Sequence, residues 1–528
     1  MVYPPQGLIK DIKSVPAKYV ILREGGKVVA YNCETGTRDY VGDDPAYVIN
    51  NAINSLTAGR TWKEKIVIKG DYVINSPVLP KSYTVVEIQG KIKVADSAYI
   101  TPIFIQNAQH VDIIGGEIDG NKDNNPRPYP GGVDNLMGIW VADRCRDIRI
   151  IGTHVHDVGD LGITVFQPVD VRDPANYSED ILIAYNVVHD SRRDCIALDD
   201  WNRGVTIIGN LLYNAVNYAI GIARGCNRIN IAGNVCRDSQ YGILIGTAET
   251  DPLYFLHNIN IVGNTVYSNS WYDIYIAKAS NCTVVGNIVY SRDDITYDSV
   301  RIGSDVENIL LANNIVRYNI RLINAKNCVV TGNSVYAKLT ALSANNSSDI
   351  VVSSNNIISE KQGIYASGNS RLFVHGNRIT AGFVESYQGI VLTNTVNSAI
   401  RNNIVMSKPD SAIKMNYGIQ ESSGCDYNII TDNIIIDAGI KSVLKTGANT
   451  VVKRNTGYPT ESYGTATIPA GQTSVTVNHG LVGVPNKIIV SPRENIQVWV
   501  SSVTSTSFTI TCSTAPSVDV IVDWEAEI

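Results

Sequence analysis

The sequence predicts an all-β chain: a solenoid of short parallel strands, opened by one helix and closed by a small β-sandwich. Three observations predict it. Near-copies recur, as in Val205-Thr-Ile-Ile-Gly-Asn210, Ile229-Asn-Ile-Ala-Gly-Asn234, Ile259-Asn-Ile-Val-Gly-Asn264 and Cys282-Thr-Val-Val-Gly-Asn287. The repeated Asn runs through Asn186, Asn210, Asn234, Asn264, Asn287, Asn314, Asn333, Asn356, Asn377, Asn403, Asn433 and Asn455, at intervals of 19 to 30 residues. Within the repeats apolar residues alternate, as at Ile163 and Val165, Ile196 and Leu198, Ile220 and Ile222. Beyond Tyr458-Pro459 the repeat gives way to closely spaced strand-like runs.

A period of this size with two-residue alternation means stacked coils of strands, because one coil cannot bury its own inner face. Val and Ile dominate the inward positions and suit a pleated surface. No window holds a 3.6-residue period. Asn suits the bends, since it tolerates left-handed backbone and bonds local main chain, and stacked amides form ladders. These Asn residues are read as structural.

On these residues the stretch from about 45 to 458 resembles the right-handed parallel β-helix superfamily, which includes pectate lyases, polygalacturonases and viral tailspikes. The resemblance implies a right-handed, single-stranded, pectin-lyase-like coil. It also implies a polysaccharide-active protein of a virus or of a secreting bacterium or archaeon, and a homotrimer on the pattern of tailspikes.

Composition narrows the function. The net charge of −6, from 44 basic and 50 acidic side chains, argues against a general nucleic-acid binder. No run of about 18 apolar residues exists, so no membrane span is expected. The start, Met1-Val-Tyr-Pro-Pro-Gln, lacks a signal-peptide pattern. An extracellular or virion-associated location is expected, the latter reached by lysis. Cys145, Cys226, Cys282, Cys328 and Cys425 each precede the Ile/Val strand of their repeat, which predicts a buried column and neither bridges nor zinc.

Taken in order, residues 1–44 read as irregular, with a hairpin at Tyr19–Leu22 and Lys27–Tyr31 around Glu24-Gly-Gly26. Asp43-Asp44-Pro45 opens a capping helix over 45–57, with apolar Val48, Ile49, Ala52, Ile53 and Leu56. The β-helix is expected over 45–458. Gly115-Gly-Glu-Ile-Asp-Gly-Asn121 is similar to a segment of polygalacturonase-like β-helices. The Pro-rich loop Lys122–Asp134 and insertions at Gln167–Glu179 and Thr247–His257 are long enough to wall a groove. Residues 460–528 predict a small antiparallel β-sandwich. Asn478-His-Gly-Leu481, Trp499, Phe508 and Asp523-Trp524 resemble C-terminal modules of phage fibres and H-type lectin-like domains.

The candidate site lies on the second strand of successive coils, whose outward central residues align as Trp140, Thr164, Ala197, Gly221, Leu244 and Tyr275. Small side chains there predict a depression, and Trp140 and Tyr275 offer faces for sugar rings. Asp160, Arg192, Arg193, Asp194, Asp199, Asp200, Arg224, Glu249 and Asp251 gather along it. Coils stack about 4.8 Å apart, so Asp160 and Asp194 are expected within roughly 5–8 Å, close enough for acid and base work on a glycosidic bond, whereas Asp199, five residues on and about 15 Å away along an extended chain, pairs with Asp194 only if the chain bends.

Arg193-Asp194-Cys-Ile-Ala-Leu198 resembles the polygalacturonase segment in which two Asp precede Cys-Ile-Ala. Asp194 matches the second Asp, Arg193 replaces the first, and Asn217-Tyr218-Ala219 stands where that family has Gly-His-Gly. In a competing lyase reading Arg192, Arg193 or Arg224 takes part and Ca²⁺ sits on Asp199 and Asp200. A hydrolase needs no cofactor. Val155-His156-Asp157 and Val188-His189-Asp190 place two His-Asp pairs in one column, read as a surface ladder over a catalytic or metal-binding stack.

The function expected is cleavage of an acidic polysaccharide, by hydrolysis or β-elimination, with Asp160, Asp194, Asp199, Asp200, Arg193 and Arg224 as catalytic candidates. Trp140, Arg192, Glu249, Asp251 and Tyr275 are the substrate-binding candidates. A non-catalytic glycan-binding adhesin or viral fibre is the first alternative, and a structural surface protein the second.

Overall fold

A computed structural model describes residues 16–127, 136–168, 173–291, 297–382 and 387–528. The chain divides into two compact units, residues 1–329 and 330–528.

In the first unit successive coils from Thr84 onward contribute strands to three parallel sheets. The first sheet includes Arg146–Ile151, Glu179–Ala184, Arg203–Ile208, Asn227–Ala232 and Leu256–Val262, in register coil by coil. The second includes Glu117–Asp119, His154–His156, Val187–His189, Leu211–Tyr213 and Val235–Arg237. The third runs through Ile103–Gln106, Ile139–Ala142, Ile163–Val165, Ile196–Leu198, Tyr218–Ile222, Tyr241–Ile245, Ile274–Ile276 and Val300–Ile302. Inward residues such as Ile163, Ile196, Ile220 and Ile243 are fully buried, so columns of Ile and Val form the core. This is the expected outcome of two-residue alternation.

Between the first and second sheets the chain turns at Gly-Asn, and the two residues divide the labour. Gly209, Gly233, Gly263 and Gly286 adopt left-handed backbone, with φ of 62° to 67°. The ladder Asn residues do not adopt it. Tyr185 and Asn313 take the left-handed position where glycine is missing, directly before Asn186 and Asn314. The Asn side chain then satisfies the turn. Asn210 Oδ1 accepts from both the main-chain N–H and Nδ2 of Asn186, at 2.9 Å each, and Asn210 Nδ2 donates to Ile183 O. The pattern continues through Asn234, Asn264, Asn287 and Asn314.

The second unit carries the same ladder through Asn333, Asn355, Asn377, Asn403, Asn433 and Asn455. Asn355 takes the place expected for Asn356. Ser354 holds the left-handed φ of 55° there, and Asn356 begins the strand Asn356–Ser359.

The N-terminal hairpin pairs Ala17–Glu24 with Lys27–Asn32, and Ala17–Glu24 also pairs in parallel with Glu64–Lys69. The expected helix spans Pro45–Asn54, shorter than 45–57. Asp44 caps it, accepting from the Ala46 and Tyr47 amides. Val48, Ile49, Ala52 and Ile53 are buried. Asn54 and Ser55, weak helix formers, end it, and buried Leu56 lies past the end. The outer part of the Lys122–Asp134 loop, with Pro128 and Pro130, falls outside the described residues, as do 1–15 and 169–172.

Residues 461–527 form two three-stranded antiparallel sheets, Glu461–Ile468 with Val520–Glu527 and Lys487–Pro492, and Ser474–Asn478 with Ser507–Cys512 and Val498–Val503. Their inner faces share a core of Ile468, Val477, Phe508, Ile510 and Val522. Trp524 packs edge-on against Phe508 at 5.4 Å. All nine cysteines are free thiols; Cys145, Cys226, Cys282, Cys328 and Cys425 are buried as expected.

Candidate functional site

The third-sheet register aligns Trp140, Thr164, Ala197, Gly221, Leu244 and Tyr275 as one outward column. Above its small members lies a groove of about 380 Å³. Its lining includes Arg193, Asp194, Ala197, Asp199, Tyr218, Gly221, Arg224, Leu244 and Glu249.

Asp194 reaches the groove just ahead of the strand Ile196–Leu198. It is only 4% exposed, and its Oδ1 accepts from the Tyr218 amide at 3.2 Å. Burial pushes its carboxyl up to about 7. Arg193 and the Tyr218 amide oppose that shift, while the charges of Asp160 and Asp199 add to it. Gly221 sits opposite: a Cβ there would lie 2.7 Å from Tyr218 Cδ2 and 3.5 Å from Asp194 Oδ2. The glycine lets the Tyr218 ring lie against the strand and leaves the carboxyl a path to the groove.

Asp199 and Asp200 follow the same strand. Both face Arg224: Nη1 pairs with Asp199 Oδ2 and lies 3.4 Å from Asp200 Oδ1. Asp199 lines the groove. Asp200 does not; it is fully buried with left-handed backbone, and its Oδ2 accepts from the Gln167 amide at 3.2 Å.

Asp160 lies outside the groove lining. It aligns with Arg193, one residue out of step with Asp194, as the bonds Arg193 N to Asp160 O and Gly162 N to Asp194 O show. Its carboxylate is fully buried and pairs with Arg127 at 3.0 Å and Arg193 at 3.5 Å. Burial raises its pKa, against the pull of both arginines.

Arg192 also turns away: its Nη2 donates to Lys122 O at 2.8 Å. Asp251 caps the short helix Pro252–Tyr254 through the Leu253 amide and does not line the groove. Trp140 lies in an aromatic row, its ring centroid 4.7 Å from that of Phe104 and 5.2 Å from that of Phe166, with Nε1 donating to Phe166 O.

Sequence reasoning picked out Tyr275 but not its neighbours. Tyr218 and Tyr241 stand in one register column, ring centroids 5.2 Å apart. Tyr241 also approaches Trp271, Tyr272 and Tyr275, and Trp271 stacks on Tyr297 at 5.4 Å. Trp271 and Tyr297 are each 39% exposed. Arg301 donates to Tyr272 Oη at 2.7 Å. The signal was present: an aromatic residue recurs at or just before the start of the third-sheet strand, at Tyr218, Tyr241 and Trp271-Tyr272. An aromatic platform thus extends along the coils from Tyr218 at the groove, a surface suited to the apolar faces of sugar rings.

The His-Asp column forms a ladder on the second sheet. His156 and His189 stack at 5.3 Å, Tyr213 stacks on His189 at 4.5 Å, and Arg237 covers Tyr213. No described helix is long and apolar enough to cross a membrane.

Two families match the chain. One, described as right handed beta helix region, matches residues 241–405 and 304–456. The other, described as periplasmic copper-binding protein (NosD), matches residues 87–305. No curated protein matches the sequence. Among solved structures, the chain is similar to a mutant tailspike protein of E. coli bacteriophage HK620 in complex with pentasaccharide. The identity is 12% and the TM-score 0.50, covering 92% of this chain and 89% of that one. It is similar to pre-mature gene product 12 of bacteriophage phi29 at 16% identity and TM-score 0.47, covering 79% and 54% of the two chains. The A-module of mannuronan C-5 epimerase AlgE4 of Azotobacter vinelandii shares 16% identity at TM-score 0.32, with 78% and 96% covered. The likeness to the HK620 tailspike is one of fold. With the parallel register of three sheets and the match over residues 241–456, it gives this chain the fold of a right-handed parallel β-helix.

Proposed function

We propose that the protein cleaves an acidic polysaccharide by hydrolysis in the groove on the third sheet, with Asp194 as proton donor. The observation that carries this reading is Asp194 itself: a carboxyl pushed up to about 7, opening onto a groove that a second carboxylate, Asp199, also lines. A carboxylic acid still protonated near neutral pH can protonate a leaving glycosidic oxygen. Asp199, oriented by Arg224, supplies the opposing carboxylate as base or nucleophile. Arg193 lines the groove with a side chain 43% exposed, placed to meet a uronate carboxylate. The reaction balances simply: Asp194 gives its proton to the departing oxygen, water closes the anomeric carbon, and its proton returns to the carboxylate pair.

In the lyase reading, Ca²⁺ on Asp199 and Asp200 would have to displace Arg224 from both. A second reading, a glycan-binding spike or adhesin, is favoured by the exposed aromatic platform of Trp271 and Tyr297. Action outside the cell or on a virion, and a homotrimer, belong to both readings; mass in solution tests the latter.

The deciding experiment incubates the protein with uronate-containing and neutral polysaccharides, following reducing ends together with the ultraviolet absorbance of unsaturated uronates. Reducing ends alone, abolished in Asp194→Asn, support hydrolysis. New absorbance replaces it with elimination. Binding without either signal selects the adhesin.

A further inference from the structure

The second sheet carries a cluster that the groove does not use. Glu117 and His154 share one register position on neighbouring strands, and Asp119, His156 and His189 share another. Side chains two residues apart on a strand leave the same face. These therefore project together from three successive coils, and their donor atoms converge. His156 Nε2 lies 3.0 Å from Glu117 Oε1, and His154 Nε2 lies 2.8 Å from His189 Nε2. One ligand atom from each of Glu117, His154 and His156 falls within 4.8 Å of the other two.

Two further carboxylates set the imidazoles. His156 Nδ1 donates to Asp157 Oδ2 at 2.7 Å, and His189 Nδ1 donates to Asp190 Oδ2. An ionised carboxylate only accepts, so each Nδ1 carries a proton and each Nε2 is turned toward the cluster; at His156 the contact to Glu117 places a second proton on Nε2, which the incoming ion displaces. Carboxylates behind the far nitrogen orient the histidines of metal sites and raise their basicity.

We propose that Glu117, His154 and His156, with His189 at the rim, bind a first-row transition-metal dication of the Zn²⁺ class. The ligand chemistry selects that class, since three imidazoles and one carboxylate suit Zn²⁺ and its neighbours, whereas Ca²⁺ and Mg²⁺ take oxygen ligands. Spacing agrees. Ligand bonds of about 2.0–2.1 Å in a tetrahedron hold donor atoms about 3.3 Å apart, so the observed pairs need open by only a few tenths of an ångström. His156 and His189 side chains are 12% and 15% exposed, which leaves a route for the ion. Lys91 is the built-in competitor, its Nζ 2.5 Å from Glu117 Oε1. Ligands from three coils make the ion a clasp across the stack, so binding stabilises the fold by mass action.

The test is calorimetric titration of the full, untagged chain with Zn²⁺, paired with visible absorption after Co²⁺ addition. The proposal expects one ion per chain and the absorption of tetrahedral Co²⁺. His154→Ala and His156→Ala each weaken binding by more than about tenfold, and Asp157→Asn by about 10- to 100-fold. Lys91→Ala tightens binding by freeing Glu117. Asp194→Asn, in the groove, leaves it unchanged, so this proposal and the hydrolase reading fail separately. Should an alanine variant misfold by circular dichroism, the glutamine variant at the same position replaces it. Absence of stoichiometric binding, or equal affinity in the His154→Ala/His156→Ala double variant, overturns the proposal.

Discussion

The main-chain N–H of Tyr218 donates to Asp194 Oδ1 from the neighbouring coil, at 3.2 Å. That bond holds the carboxyl against the strand while Gly221 leaves its other oxygen open to the groove. Asp194→Asn keeps the side-chain shape and an acceptor for the amide but removes the proton donor. Turnover on a cleaved glycan is expected to fall by about 10²- to 10⁴-fold with the circular dichroism spectrum unchanged. Retention of full turnover would move the acid elsewhere.

The same carboxyl makes stability depend on pH. Its folded pKa, about 7, lies above its unfolded value near 3.9, so the native state holds the proton more tightly. Its contribution is therefore fully present below pH 4, declines as pH rises from about 4 to 7, and reaches a cost of about 4 kcal/mol above that. Asp194→Asn should raise the melting temperature at pH 8 and leave it nearly unchanged at pH 4. Asp273, buried and also pushed up to about 7, acts in the same direction and remains in the variant.

Gly221→Ala tests the shape of the groove. Its Cβ would meet the Tyr218 ring at 2.7 Å, so the ring must swing toward Asp194 or into the groove. KM is expected to rise severalfold, with a stability loss of about 1–3 kcal/mol from overpacking. Unchanged kinetics would mean that glycan does not pass over this coil.

The aromatic platform makes its own prediction. Trp271→Ala and Tyr297→Ala remove a stacked pair 39% exposed on each side. Glycan affinity measured by calorimetry should fall by about tenfold, the scale of one aromatic contact, while cleavage of a short substrate is spared.

Asn234→Ala interrupts the ladder. The Asn210 N–H and Nδ2 both lose their acceptor, and the Ile207 carbonyl loses its donor. Buried groups left unpaired cost about 1–3 kcal/mol each, so a loss of about 3 kcal/mol or more is expected in chemical unfolding. The next coil offers no substitute, because Asn264 Oδ1 still accepts from the main-chain N–H at 234 and its Nδ2 is held by Ile231 O and Asn287 Oδ1.

Much of this was legible in the linear chain. Repetition at coil length specifies a solenoid, and alternating Ile and Val specify which side of each strand faces the core. Asp44-Pro45 marked where the helix starts, and the outward column from Trp140 to Tyr275 was placed residue for residue. These features are local, set by propensity and period.

Tertiary structure decided which charges share the groove. Residues 192–194 and Asp160 lie in bends ahead of their strands, where no alternation fixes the side chains. Arg193 lines the groove while Arg192 reaches Lys122, and Asp160, one step out of register with Asp194, is buried against Arg127. The insertions follow the same logic: Glu249 arrives at the groove while Asp251, two residues on, caps a turn. The sequence by itself determined the coil and its inner face, because both repeat with the chain. Only the stacked coils decided the site, because its members meet across coils through register, which no single repeat contains.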